Sequence, residues 1–307
     1  MRNSPRTLAL LQALFVTFLW STSWVLIKRT LPEIPPLTFA GLRYTLAFLV
    51  LLPGLRKYQT ELRALSTSDW KRLIALGLVF YTLTQGGQFM TLNYLDAVPF
   101  SLLLNLTTVL VAVLGIFWLK EIPSRLQWFG TLVFLVGVFI YFSPTNKPGG
   151  GWLGFTLAGV TVLANAVAAI LGRSVNRGGH IPPLVVTATS MGTGALILLG
   201  IGLIVQGLPP LSPTTWAVVL WLAVVNTALA FFLWNKTLQV LTAVEATIIN
   251  STMLIQIAVL AWLFLGEELN LINVLGLALA ATGVFIVNWK PDRRDHNFPN
   301  SYSSGKT

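Results

Sequence analysis

Along this chain, stretch after stretch of about twenty residues passes with hardly a charge, each closed by glycine, proline or a charged pair. That length is what a helix rising about 1.5 Å per residue needs to cross the hydrocarbon core of a bilayer. Ten such spans are expected, at roughly 9–28, 36–54, 71–92, 97–118, 125–143, 152–172, 183–206, 215–236, 242–264 and 270–289. Composition agrees with this reading. Of the 307 residues 55% are hydrophobic and 10% charged, against about 25% charged in an ordinary soluble domain. Too few charges remain to cover a soluble surface.

The net charge of +10 could suggest nucleic acid, but a nucleic-acid binder gathers its basic residues on one face. Here they sit in short loops between apolar runs, where they set topology. With the N-terminus inside, fifteen Lys and Arg fall in inner segments, against Lys28, Arg29 and Lys147 outside. Both termini are therefore expected in the cytoplasm and the chain in the inner (plasma) membrane, multi-pass. After Arg2 and Arg6 the first apolar run continues to about Ile27 without a small-x-small cleavage site, so no cleaved leader is expected. There is no cysteine, which excludes disulfides and thiol chemistry.

The chain repeats itself at an offset of 146. "FGTLVFLVGVFI" (129–140) aligns with "LGLALAATGVFI" (275–286), pairing Gly130 with Gly276, Gly137 with Gly283 and Phe139 with Phe285. The same offset pairs Glu121 with Glu267, Ala97-Val98 with Ala243-Val244, Thr91 with Thr237 and Trp70 with Trp216. Glycines at seven-residue spacing can reflect close helix packing alone, but an ungapped register from Trp70 to Ile140 reads as duplication. Five helices per half is an odd number, so the second half enters the membrane from the opposite side. The expected fold is an all-α integral membrane protein of ten transmembrane helices in two inverted five-helix repeats. The first repeat is 1–145, the extracytoplasmic link 146–151, the second repeat 152–290 and a polar cytoplasmic tail 291–307. Inverted repeats are a transporter architecture, with cargo held near the midplane.

Three stretches carry a family resemblance: "FLWSTSWVLIKRTLPEIPPLTFAGLRYTLAFL" (18–49), "FFLWNKTLQVLTAVEATI" (231–248) and "LAWLFLGEELNLINVLGLALAATGVFIV" (260–287). They resemble EamA-type carriers of the drug/metabolite transporter superfamily. The resemblance implies ten helices in inverted repeats and movement of small metabolites, often export of amino acids or related compounds. It also implies a proline in the fourth and ninth helices, where this chain has Thr108 and Leu254.

Arg43 stands inside "PPLTFAGLRYTLAFLVLLPGL" (35–55). It lies seven residues from Pro36, or about 10 Å from the outer end at helical rise. An intramembrane charge is costly and faces a cavity or a partner. One reading gives its planar fork of donors the carboxylate of an amino-acid-like cargo; the other has it clamp helix carbonyls or a loop carboxylate such as Asp96 or Glu33. All ten acidic residues fall in loops, the tail or near helix ends. A cationic drug wants a buried acid, so a cationic antiporter is disfavoured.

The mid-membrane residues that remain are neutral and polar or aromatic: Trp20, Ser21, Ser23, Trp24, Gln85, Gln88, Asn105, Thr108, Asn165, Asn226, Asn250, Ser251 and Gln256. Aromatic walls with a few amides suit a neutral or zwitterionic solute, while the same groups also tie helix to helix. The candidate solute-contacting set is Arg43, Trp20, Ser23, Trp24, Gln85, Asn105, Thr108, Asn165, Asn226, Asn250 and Gln256. Lys236 reads as a snorkelling anchor. Glu121 and Glu267 read as N-terminal charges on the helices that follow them. The "SSGKT" at 303–307 lacks the first glycine of a phosphate loop, Asn300 standing there. His180 and His296 have no second ligand at metal spacing. No cofactor, metal or nucleic-acid partner is expected; the partners are a small-molecule solute and the bilayer, and two copies could pair as a homodimer. A carrier for drugs, nucleosides or other metabolites is the alternative of the same fold. An enzyme would need a nucleophile, base or metal constellation within the spans, and a receptor or scaffold would need a signalling domain. Neither is legible.

Overall fold

The computed structural model describes residues 5–118, 124–142, 149, 151–176, 181–237, 240–241 and 249–288. Among them all regular structure is helical. The apolar helices are α1 (Pro5–Thr30), α2 (Pro36–Leu55), α3 (Thr67–Tyr94), α4 (Ala97–Leu104 continued by Leu106–Trp118) and α5 (Arg125–Tyr141). They continue as α6 (Gly151–Asn176), α7 (Pro183–Val205), α8 (Pro213–Ala223 through Ala230–Thr237), α9 (Ile249–Leu265) and α10 (Leu271–Asn288). Helices α1, α2, α3, α6, α7 and α8 are long and apolar enough to cross a membrane, while α4, α5, α9 and α10 are shorter apolar helices.

The helix ends follow from the punctuation in the sequence. Pro36, Pro183 and Pro213 open α2, α7 and α8, where a missing N–H costs nothing. Ser66, Ser124 and Ser212 accept from the N–H three residues on, each satisfying one orphan donor of a first turn. Gly266, at φ +69°, ends α9 in the left-handed region, which glycine enters without a Cβ penalty.

Two helix pairs approach backbone to backbone and run antiparallel. In α5 against α10, a Cβ built on Gly137 would sit 2.3 Å from the amide of Ala280 and 2.6 Å from the carbonyl of Gly276, and one on Gly130 would fall among Gly283, Ile286 and Val287. In α2 against α7, Gly41 lies on Leu199 and Gly202 on Leu37 and Thr38. Around these two pairs, α1 packs on α8 and α9 while α6 packs on α3 and α4. The main core joins both halves of the chain, running from Trp24, Phe39 and Phe100 to Leu222 and Ile257. Outside it a belt of large apolar side chains, Phe139, Trp152, Ile204 and Phe232 among them, stands exposed.

Candidate functional site

Two helices are wound into wide turns where they reach the centre. Gly77–Gln85 of α3 and Val224–Leu229 of α8 are π-helical. In each, a threonine hydroxyl donates to the carbonyl five residues back: Thr84 to Val79 and Thr227 to Leu222, at 2.9 and 2.8 Å. A π turn re-aims the side chains it carries and concentrates at functional sites. Here the wide turns deliver Tyr81 and Gln85 from one side, Asn226 and Thr227 from the other, onto α1 and α2.

Arg43 sits between them, buried to 5% exposure. Its Nε donates to Thr227 Oγ1 at 3.0 Å and its Nη2 to Ser23 Oγ at 3.4 Å. The guanidinium carbon lies 5.2 Å from the centre of the Tyr44 ring, within cation–π range. Neither loop carboxylate reaches it. Asp96 faces Lys28 at 3.4 Å, and Glu33 accepts from Ser212 and Thr215. Among the described residues no carboxylate pairs with Arg43, and its Nη1 has no hydrogen-bond partner. The full positive charge is thus held by hydroxyls and a ring face, with donors left over.

The surroundings extend this polar centre. Asn226, fully buried, donates through Nδ2 to the carbonyl of Leu19, to Thr22 Oγ1 at 3.1 Å and to Ser23 Oγ at 2.9 Å, while its buried Oδ1 has no partner among the described residues. Tyr44 donates to Gln85 Oε1 at 2.7 Å and its ring stands 5.5 Å from that of Tyr81. Arg43, Ser23, Gln85 and Asn226 are therefore brought together. Sequence reasoning missed Thr227, Tyr44 and Tyr81. A threonine beside Asn226 in an apolar run, a tyrosine directly after Arg43 and another one turn before Gln85 were the available signals.

The other candidates go elsewhere. Trp24 packs in the core against Phe100, ring centres 5.2 Å apart, and Trp20 against Phe231 and Trp234. Gln256 ties α9 to α1: its Oε1 accepts from Ser21, and its Nε2 donates to Thr17 and Thr252. Asn165 reaches Thr107 at 3.2 Å, joining α6 to α4. Asn105 donates to the carbonyl of Ser101 on its own helix, Thr108 is half-buried and Asn250 exposed. Beside the Asn165 bridge a separate apolar cavity of about 300 Å³ is lined by Leu103, Leu106, Val109, Phe155, Ala158 and Val162 among others; it shares no residue with the Arg43 cluster.

Glu267 departs from expectation. It serves not the helix that follows it but the start of α4, its two oxygens accepting from the N–H groups of Ala97 and Val98 at 2.6 and 3.0 Å. The register pairing Glu121 with Glu267 gave no hint that the partner would be 170 residues away. Glu121 and the Ala243-Val244 pair lie outside the described residues.

Comparison with known proteins follows the same lines. The model of the EamA-like transporter family matches twice, over residues 7–143 and 152–289. The chain is 28% identical to YvbV, an uncharacterized transporter of Bacillus subtilis (strain 168), with 94% of each chain covered. It is 25% identical to an uncharacterized transporter of Archaeoglobus fulgidus, covering 89% of this chain and 94% of that one. A crystal structure with 17% sequence identity superposes with a TM-score of 0.64 over 92% of this chain and 97% of the other, which speaks for the fold alone.

Proposed function

The chain belongs to the EamA-like transporter family, and on that premise we propose that it exports amino acids or related zwitterionic and neutral metabolites from the cytoplasm. It is a multi-pass membrane transporter; the cargo and the mechanism are our reading. The observation that carries it is Arg43: a desolvated guanidinium at the meeting of α1, α2, α3 and α8, with no carboxylate beside it and Nη1 unengaged among the described residues. A buried charge without a counter-ion is costly, and an arriving carboxylate would supply the missing partner through charge-assisted bonds. The amide and phenol groups of Gln85, Asn226 and Tyr44 suit the neutral and polar remainder of such a solute.

The mechanism proposed is alternating access, with all ten apolar helices spanning, both termini cytoplasmic and repeats 1–145 and 152–290 inverted. Support comes from the α5–α10 contacts. The Gly130–Gly283 contact maps onto Gly137–Gly276 at the offset of 146 read from the sequence, and Tyr141–Gly276 maps onto Gly130–Val287. Contacts that exchange at one offset in an antiparallel pair are what a two-fold axis in the membrane plane produces.

The test is uptake into proteoliposomes of a panel of radiolabelled amino acids, nucleosides and amines, by the parent, Arg43→Ala and Arg43→Lys. Amino-acid uptake should saturate and fall at least about tenfold with Arg43→Ala, the scale of one lost charged hydrogen bond. Arg43→Lys, which keeps the charge without the fork, should fall between. Transport confined to amines or nucleosides, or normal amino-acid transport by Arg43→Ala, would overturn the cargo class.

A further inference from the structure

The last turn of α1 places two cations against the carbonyl ends of two other helices, α3 and α9. Lys28 Nζ donates to the carbonyls of Leu92 and Leu95 at 2.9 and 2.7 Å, closing the end of α3, and stands 3.4 Å from Asp96. Arg29 donates from Nε and Nη2 to the carbonyl of Phe264, at the end of α9. Cations on terminal carbonyls satisfy orphan acceptors and complement the helix dipole. Gly266 then turns the chain in the left-handed region and Glu267 follows, its carboxylate on the first two N–H groups of α4.

This arrangement is not the local solution. Asp96 occupies the N-cap position of α4, yet its side chain makes no capping bond; it is turned to Lys28. The first-turn donors that Asp96 leaves open are satisfied by a carboxylate from the other half of the chain. Every charged group in this clasp is also partly exposed: Lys28 at 24%, Asp96 at 51% and Glu267 half-buried. Groups so close to water can exchange protein partners for hydration at little cost, unlike the sealed Arg43. A bond between halves that is good when made and cheap to break is what a gate requires.

We propose that Glu267 is the latch of the extracytoplasmic gate: seated on the amides of Ala97 and Val98, it holds α4 to the α9–α10 turn, and its release opens the path to the Arg43 cluster from outside. The clasp at Arg29 and Phe264 is its companion. The proposal rests on the carrier reading and on the orientation given above, but its test needs no cargo.

The chain has no cysteine, so one introduced thiol reports alone. Ser101, 2% exposed, lies one turn below Val98 and donates to its carbonyl at 2.8 Å. Ser101→Cys is labelled with a membrane-impermeant charged thiol reagent in right-side-out and inside-out vesicles. Glu267→Ala should speed labelling from outside at least about tenfold, the loss of a charged hydrogen bond. Glu267→Asp and Arg29→Ala should give smaller increases, and Glu268→Ala should match the parent. Monodispersity on gel filtration checks folding. Should Glu267→Ala fail that check, Glu267→Asp and Arg29→Ala decide: no acceleration in either sinks the proposal. Equal rates for Glu267→Ala and Glu268→Ala would also overturn it, as would acceleration only in inside-out vesicles. A panel without amino-acid uptake but with this labelling pattern would refute the cargo and leave the latch standing.

Discussion

Arg43 could be singled out from the sequence because a charge inside an apolar run has few permissible explanations. Its partners could not. Thr227 is 184 residues away, and a hydroxyl in an apolar helix ordinarily bonds its own backbone, so nothing local announces that it also accepts from a guanidinium. The same limit blurs the amides. A sequence shows that Gln256 and Asn226 are mid-membrane, not whether their hydrogen-bonding capacity is already spent. Gln256 has an acceptor and a donor both engaged by Ser21, Thr17 and Thr252, which is the geometry of a strut between α1 and α9. Gln256→Leu should therefore lower stability by about 1 kcal/mol, near the upper range of single interhelical hydrogen bonds in membranes. The apparent KM for cargo should stay within twofold or so of the parent on the same energy scale. A thermal-shift measurement in detergent beside the uptake assay checks both. A large change in KM with unchanged stability would return Gln256 to the cargo site.

Secondary elements were more legible than their irregularities. The apolar runs and their proline and serine starts are local signals. The π turns in α3 and α8 are not, because nothing in "GLVFYTLTQ" or "VVNTAL" forbids an ordinary helix. Similarly, Thr108 and Leu254 stand where proline is expected from the resemblance, yet both helices are interrupted slightly earlier. The break in α4 falls at Asn105, whose amide bonds the carbonyl of Ser101, and that in α9 at Thr252, whose hydroxyl bonds the carbonyl of Ile249. Side chains that compete for backbone carbonyls bend helices, so the interruptions survive without the prolines. The glycine register, read from the sequence as duplication with close packing as the alternative, does mark a close approach of α5 and α10, and it makes a sharp prediction. A methyl at Gly137 would meet the Ala280 amide at 2.3 Å, while one at Gly159 would meet no described atom within 4 Å beyond its own stretch of helix. Gly137→Ala should force α5 from α10 and cost about 1–3 kcal/mol, as overpacking does. Gly159→Ala should be neutral or slightly stabilising because it only restricts the unfolded chain. Unfolding midpoints of the two variants decide; equal midpoints would mean that α5 and α10 are not packed as described.

At the scale of the whole molecule the sequence offset indicated which helices correspond, and the packing shows how they meet: α1 on α8 and α9, α6 on α3 and α4, α2 on α7, α5 on α10. Advancing every helix by five exchanges these partners. What the offset could not supply is the charged clasp, because Glu267 reaches α4 through three-dimensional proximity alone. The clasp should also answer to pH. Burial raises the Glu267 carboxyl above its ordinary value of 4.5, and Asp96 pushes the same way, against the Val98 and Ala97 amides and Lys28. The Tyr141 hydroxyl of α5 shares the field of Glu267 and Asp96, and Glu268 adjoins on the same turn. A group whose pKa is raised in the sealed state binds a proton more readily there than in water. Its protonation therefore favours the sealed state, fully below 4.5 and progressively less as pH climbs through the raised value. Glu33 works in the opposite sense: hydrogen bonds from Thr215 and then Ser212 hold its pKa below the ordinary value, so its clasp stays ionised down to that range. Acidifying the outside from neutrality toward 4.5 should thus tighten the gate through Glu267. In the Ser101→Cys assay the ratio of the Glu267→Ala rate to the parent rate should rise across that window, a ratio in which the thiol's own pH dependence cancels. A ratio that falls on acidification would mean that the ionised carboxylate holds the sealed state more strongly than burial penalises it.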